Sequence, residues 1–225
     1  MMAERISGQS CFCSWSGGKD SCLALYRAMQ AGAHPKLLVT MMNEEGDRSR
    51  SHALPAQLIA AQGEALGIPT IVKSASWQEY EQRFLAVLRK LPEQGVGFGV
   101  FGDIDIAEHA AWERRVSAEA GLQAWLPLWQ QPRLNLLGEF LDLGFRATIV
   151  SLKADLLDRR YLGRVLDRGL IDELIAAGVD PSGENGEYHT VVTDGPIFQS
   201  PLSLRFGEQV LHSGYWFQEV NLPAD

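Results

Sequence analysis

Ser16-Gly17-Gly18-Lys19-Asp20-Ser21 holds the residue types that grip a polyphosphate. Two glycines let the backbone aim its N–H groups at an anion with no Cβ in the way, the serines add hydroxyl donors, and Lys19 adds a positive charge. The stretch follows an apolar run, Cys11-Phe12-Cys13-Ser14-Trp15, and leads into Cys22, Leu25, Tyr26 and Met29 at i, i+3, i+4 and i+7. That order reads as strand, tight turn and helix. The unpaired amides and positive dipole end of the helix then face the phosphate, with Ser14 at the strand end and Lys19 at the mouth. Lys19 is followed by Asp20 and no glycine lies five residues before Gly18, so this is not the common G-x-x-x-x-G-K-[ST] nucleotide loop.

Asp180-Pro181-Ser182-Gly183-Glu184-Asn185-Gly186-Glu187-Tyr188-His189-Thr190 is the second chemical stretch. Asn185-Gly186 alone reads as a tight hairpin turn. A plain hairpin has no need of Glu184 and Glu187 beside it. Two carboxylates three residues apart can hold magnesium, orient an attacking amine or bind a cationic group, and His189 can accept a proton. A third place is Gly102-Asp103, which ends the apolar run Val96 to Phe101 and sets a carboxylate where magnesium or a ribose can be met; a helix-capping Asp is the plain alternative. The polar loop Asn43 to His52 offers groups for an adenine, a ribose or a phosphate, although solvation alone also accounts for its charges. Gly97 to Gly102 spells G-x-G-x-x-G, but inside a strand rather than after one, so it is not read as a cofactor loop.

The elements that must position these groups alternate. Strands are expected at 36–42, 68–72, 96–101 and 124–126, and helices at 54–66, from Trp77 to Leu91, and at 105–121. Strands separated by helices imply an α/β fold, a parallel sheet covered by helices on both faces, with ligands at the C-terminal strand ends. Beyond Pro132 a helix at Leu134 to Leu141, a strand at 145–152, helical material at 162–177 and short strands from Tyr188 suggest a smaller α+β domain. The expected boundaries are 1–131 for the nucleotide-binding domain and 132–225 for the second.

The 225 residues carry a formal net charge of -8. With no lysine or arginine run, attraction to nucleic acid or an anionic membrane is not favoured. Cys11, Cys13 and Cys22 read as small core residues of a reducing compartment rather than a metal pair. No apolar run approaches the ~20 residues that span a bilayer, and the expected location is cytoplasmic.

The first loop resembles the fingerprint of the N-type PP-loop ATP pyrophosphatases, Ser-Gly-Gly-x-Asp-Ser, with Ser16, Gly17, Gly18, Asp20 and Ser21 all matching. Within that superfamily the chain resembles a short, single-unit member of the diphthine–ammonia ligase group. Phe101-Gly102-Asp103-Ile104, Ser51-His52, Pro127-Leu128-Trp129, Leu162-Gly163-Arg164 and Gly183-Glu184-Asn185-Gly186-Glu187 carry the likeness, in that order apart from the His52 loop, which lies upstream of Gly102. The resemblance implies an adenine nucleotide alpha hydrolase-like fold. It implies an enzyme using ATP and Mg2+ that adenylates a substrate carboxylate, releases pyrophosphate and forms an amide with ammonia. Nucleotide would meet Ser14, Ser16, Gly17, Gly18, Lys19, Asp20, Ser21, Ser51, His52, Gly102 and Asp103. Catalysis would fall to Lys19, Asp20, Glu184, Glu187 and His189, with magnesium at Asp20 and Asp103. The partner is a small-molecule or protein carboxylate, and a homodimer is compatible with the sequence. Two alternatives remain at this point: an ATP-binding module without turnover, and an adenylating enzyme of tRNA thiolation, which the acidic charge and the lack of a C-x-x-C pair disfavour.

Overall fold

The computed structural model describes residues 6–50 and 52–223. Its first half alternates as expected: β1 (Ser10–Ser14), α1 (Lys19–Gln30), β2 (His34–Met42), α2 (Ala56–Leu66), β3 (Thr70–Ser74), α3 (Tyr80–Leu88), β4 (Phe98–Val100), α4 (Ala107–Glu119) and β5 (Gln123–Trp125). The five strands form one parallel sheet in the order β3-β2-β1-β4-β5. Central β1 pairs on both sides, with Cys13 opposite Leu38 on one edge and Val100 on the other. Because side chains alternate along a strand, each face of β1 needs its own apolar cover. Cys11 and Cys13 pack with α1 and α2 on one face, while Phe12 packs with α3 and α4 on the other. There Phe12 meets Phe101 and Phe84 edge-on at 5.7 and 6.4 Å. The cysteines are the core residues their composition suggested, and burial pushes the Cys11 thiol up to about 12.

The strand order creates the site. From β1 the chain moves outward to β2 and β3, then returns to the other side of β1 for β4 and β5, so the connections leaving β1 and β4 diverge. A crevice opens between them at the C-terminal strand ends. Gly102 follows β4 there, and a Cβ on it would lie 2.8 Å from the backbone of both Asp20 and Ser21. Only glycine lets the two connections approach this closely.

The second half contains α5 (Arg133–Asp142), β6 (Arg146–Lys153), α6 (Arg168–Ala176), β7 (Tyr188–Asp194), β8 (Arg205–His212) and β9 (Tyr215–Asn221). Its strands form an antiparallel sheet in the order β7-β6-β9-β8. Val191 and Val192 of β7, Ile149 and Leu152 of β6 and Leu170 of α6 join the same continuous core as Cys22 and Leu25 of α1.

Several local expectations shift. α3 begins at Tyr80, three residues after Trp77, which is 76% exposed. The helical stretch expected from Leu162 forms only from Arg168, where Asp167 accepts from the Leu170 amide at 2.7 Å as an N-cap. The residues before it run alongside β6, with the Leu166 amide donating to the Ala147 carbonyl. Asn185-Gly186 is not a hairpin between two strands: it lies in the loop that enters β7, whose strand partner is β6.

Substituting Gly102→Ala should cost about 1–3 kcal/mol, because backbone and not a flexible side chain must give way. A lower urea midpoint at unchanged m-value would show it.

Candidate active site

The glycine turn is built at the end of β1. Gly18 is the N-cap of α1 with extended geometry, and its carbonyl accepts the first helical bond, from Cys22, at 3.2 Å. Ser16 Oγ accepts from the Gly18 amide at 3.3 Å and lies 3.0 Å from Ser21 Oγ, so the two serines brace the turn from within. Among the described residues nothing accepts from the amides of Asp20 and Ser21. Those two first-turn donors remain for an anion.

The turn is clamped from behind. Gln62 of α2, fully buried, accepts from Trp15 Nε1 at 3.0 Å and donates to the carbonyls of Gly17 at 3.0 Å and Val192 at 2.8 Å. β7 adds its own grip: the Val192 amide donates to Gly17 O at 2.9 Å and Thr190 Oγ1 accepts from the Lys19 amide at 3.1 Å. The His52 ring, with Nδ1 2.6 Å from the Thr190 carbonyl, fills the space where a Gly18 Cβ would stand, 2.1 Å from Cε1. Gln62 is a support that no motif in the sequence marked, and Thr190, the last residue of the second chemical stretch, was given no role there, because each acts on backbone far away in the chain.

One placement differs from expectation. Lys19 is not at the mouth; it is 7% exposed and is absent from the lining of the main cavity. Its Nζ lies 2.8 Å from Asp20 and 3.4 Å from Glu184, and 5.8 Å from the Tyr188 ring centroid. The reason is the order of residues: Lys19 opens α1 on the side that packs under the 180–187 loop, while Asp20 and Ser21 turn toward the crevice. Burial works against the ammonium, but Asp20, Tyr188 and Glu184 outweigh it and hold the lysine above its ordinary pKa, charged.

A cavity of about 530 Å³ occupies the crevice. Ser14, Ser16, Asp20, Ser21 and His52 line one wall, with Glu184 brought over it by the loop before β7 and His189 by the start of β7. Gly102 and Asp103 form the floor at β4, where Asp103 lies 2.7 Å from His109 Nδ1. The opposite wall carries Arg50, Trp77, Tyr80, Trp112 and Glu113. The sequence shows Trp77 and Tyr80 only as part of a helical stretch and does not single out Glu113; the i, i+3, i+4 spacing of His109, Trp112 and Glu113 is the available signal. Ser51 lies outside the described residues.

Glu187 is the second correction. It is 5% exposed and does not line the cavity; its carboxylate accepts from the Asn185 amide at 2.8 Å and from Asn185 Nδ2 at 3.1 Å. It closes the loop that presents Glu184, so of the two expected carboxylates only one faces the site.

The buried groups are tuned by their surroundings. Burial pushes His52 down to about 4, and burial with His52 and Lys19 nearby pushes His189 down to about 3. The two rings, 4.8 Å apart, are therefore neutral at pH 7 and act as hydrogen-bonding groups; His189 is a weaker base than its type suggests. Burial and Asp20 push Glu184 up against the pull of Lys19. Burial, then Asp103 beside it, pushes Glu113 up to about 11. Among the described residues no three His, Cys, Asp or Glu side chains are grouped to hold a metal.

The model of the diphthamide synthase N-terminal domain matches residues 10–124, and that of the diphthamide synthase C-terminal domain matches 132–221. The chain belongs to the diphthamide synthase family. It is 27% identical to the diphthine--ammonia ligase of Homo sapiens over 91% of this chain and 86% of that protein. Against the diphthine--ammonia ligase of Danio rerio it is 27% identical over 91% and 90%. The Schizosaccharomyces pombe protein of the same name is 26% identical, with 88% of this chain matching 36% of that longer one. A solved structure titled as a predicted subunit of tRNA methyltransferase from Methanocaldococcus jannaschii has a TM-score of 0.46 and 16% identity, over 84% of this chain and 98% of that one.

Gln62→Met should destabilise the family member by about 2–4 kcal/mol, since it removes three hydrogen bonds and leaves buried partners unmade. Thermal unfolding would register it. For Glu113 the folded pKa lies above the unfolded value, so the chain loses stability as pH rises from about 4.5 toward 11. Glu113→Gln should therefore gain stability over the parent progressively from pH 5 to 9, read as the difference in urea midpoints. The two depressed histidines act oppositely, favouring the folded state as pH rises from about 3 for His189 and about 4 for His52 to 6.5.

Proposed function

We propose that this chain is an AMP-forming ligase, similar to the diphthine–ammonia ligases, which activates a carboxylate with ATP and joins it to ammonia as an amide. The observation that carries the reading is the meeting of Glu184 with the glycine turn: a turn that only bound nucleotide would not need an acid delivered from a loop more than 160 residues away. The C-terminal part, taken as 132–225, would then supply the acceptor side of the reaction and residues 1–131 the nucleotide side.

In this mechanism the amides of Asp20 and Ser21 and the hydroxyls of Ser16 and Ser21 hold the phosphates, and the buried Lys19 charge beneath them favours the negative charge that grows as pyrophosphate departs. His52 keeps Gly18 in its extended geometry and so keeps the donors aimed. Asp20 and Asp103 line the same crevice and are hard oxygen donors, which fits magnesium; the remaining ligands would be phosphate oxygens and water. Bound magnesium supplies charge neutralisation at the leaving pyrophosphate. The substrate carboxylate oxygen attacks the α-phosphorus as the bond to the bridging oxygen of pyrophosphate breaks. Ammonia then adds at the acyl carbon, and AMP leaves with the pair of electrons from the C–O bond. Glu184, whose carboxylate Lys19 pairs with, is placed to take the proton that ammonia sheds, and the neutral His189 beside it to hydrogen-bond the acceptor. Within the described residues no helix is long and apolar enough to cross a membrane. A cytoplasmic site of action belongs to this proposal.

Incubation with ATP, magnesium, ammonium and a diphthine-bearing protein should yield AMP and pyrophosphate in equal amounts. ADP as the sole product would overturn the reading. Glu184→Gln should lower AMP formation at least 100-fold while ATP affinity changes less than about threefold, because Glu184 acts on the acceptor. Asp20→Asn should weaken both.

A further inference from the structure

Arg133 opens α5, and its charge is wrong for that place. A helix start carries the positive end of the dipole and favours acids, yet the first turn of α5 holds no acid and its N-cap, Pro132, makes no side-chain bond to it. A residue that breaks a local rule is held there by tertiary contacts, and Arg133 has two. Its Nε and one terminal nitrogen donate to the two carboxylate oxygens of Asp105, each at 2.6 Å, while the other terminal nitrogen pairs with Asp180. Arg133 is not among the residues lining the main cavity.

The two acids belong to opposite sides of the crevice. Asp105 stands between Asp103 and Ile106, which both line the cavity, on the connection that forms its floor. Asp180 begins the loop that brings Glu184 over the glycine turn, and its other oxygen accepts from the Ser182 amide at 3.0 Å, which fixes the first turn of that loop. The far end of the loop is held by its own residues, with Glu187 on Asn185 and the Tyr188 hydroxyl donating to the Pro181 carbonyl at 2.6 Å. Beneath the near end the packing is loose: Ser182 Oγ, in a residue 1% exposed, is unpartnered among the described residues, and Ser182 lines a void of about 10 Å³ with Lys19, Asp20 and Arg133, room for about one water. A guanidinium that grips one carboxylate with two nitrogens and a second with its third fixes direction as well as distance, which a point charge does not. We propose that Arg133 is a positioning residue: its fork ties the entry of the 180–187 loop to the cavity floor and so sets where Glu184 stands over the glycine turn. Its effect on catalysis rests on the amide-forming reading above; its hold on the loop does not.

Amide hydrogen exchange of the full chain without ATP reads the loop directly. In Arg133→Met the amides of Ser182, Gly183 and Gly186 should exchange about tenfold or more faster, with those of β1 and β7 unchanged. Arg133→Lys keeps the charge but grips one acid at a time, and its rates should fall between the two. Asp180→Asn keeps an acceptor for the Ser182 amide and loses the ion pair; it should match Arg133→Met, with no further change in the double variant, and it carries the test alone if Arg133→Met does not fold. In AMP formation, Arg133→Met and Asp180→Asn should each lower kcat roughly 10- to 100-fold while KM for ATP moves less than about threefold, because Gln62 and Thr190 still clamp the glycine turn. Unchanged exchange in the single variants, additive effects in the double one, or Arg133→Lys equal to the parent would each overturn the proposal. So would a KM for ATP that rises in step with the fall in kcat, by making Arg133 a general support of the fold. A parent chain that forms no AMP defeats the amide-forming reading, and the exchange rates still decide the role of Arg133.

Discussion

The buried Lys19 ammonium is the constraint around which the molecule is arranged. A charge with 7% exposure must be paired or neutralised, and here Asp20 supplies one partner from the next residue while Glu184 supplies the other from the far end of the chain. Local sequence can satisfy only half of that requirement. The rest forces the 180–187 loop onto the start of α1, and Glu187 is spent on keeping that loop closed. Glu184 and the glycine turn are thus brought together by the same ion pair that makes the burial tolerable.

Backbone contacts reinforce this arrangement. Thr190 and Val192 of β7 bond to the backbone of Lys19 and Gly17, and Gln62 joins the turn to Val192 as well. These bonds cross from the antiparallel sheet to the parallel one, and one apolar core runs beneath both. A site clamped in this way is preorganised: its donors do not have to be reoriented when a nucleotide arrives, which is where electrostatic stabilisation gains most over water.

The electrostatics divide the cavity. Near the glycine turn, amides, hydroxyls and the buried ammonium favour an anion; near α3, the faces of Trp77 and Tyr80 already carry the Arg50 guanidinium. The neutral histidines lie between, His52 as a wedge against Gly18 and His189 against His52.

Sequence by itself determined the α/β alternation, the parallel sheet, the glycine turn and the helix it opens, and the glycine that ends β4, because each is written in local periodicity or in glycines whose backbone freedom is used within a few residues. It also marked Glu184. Only the tertiary structure decided which side of α1 Lys19 occupies, that Glu187 faces its own loop, and that Trp77, Tyr80, Trp112 and Glu113 share a cavity wall. A helical stripe has the same spacing whether it meets a core or a ligand. The choice between them is made by the neighbouring elements, and those are set by strand order, which periodicity does not encode.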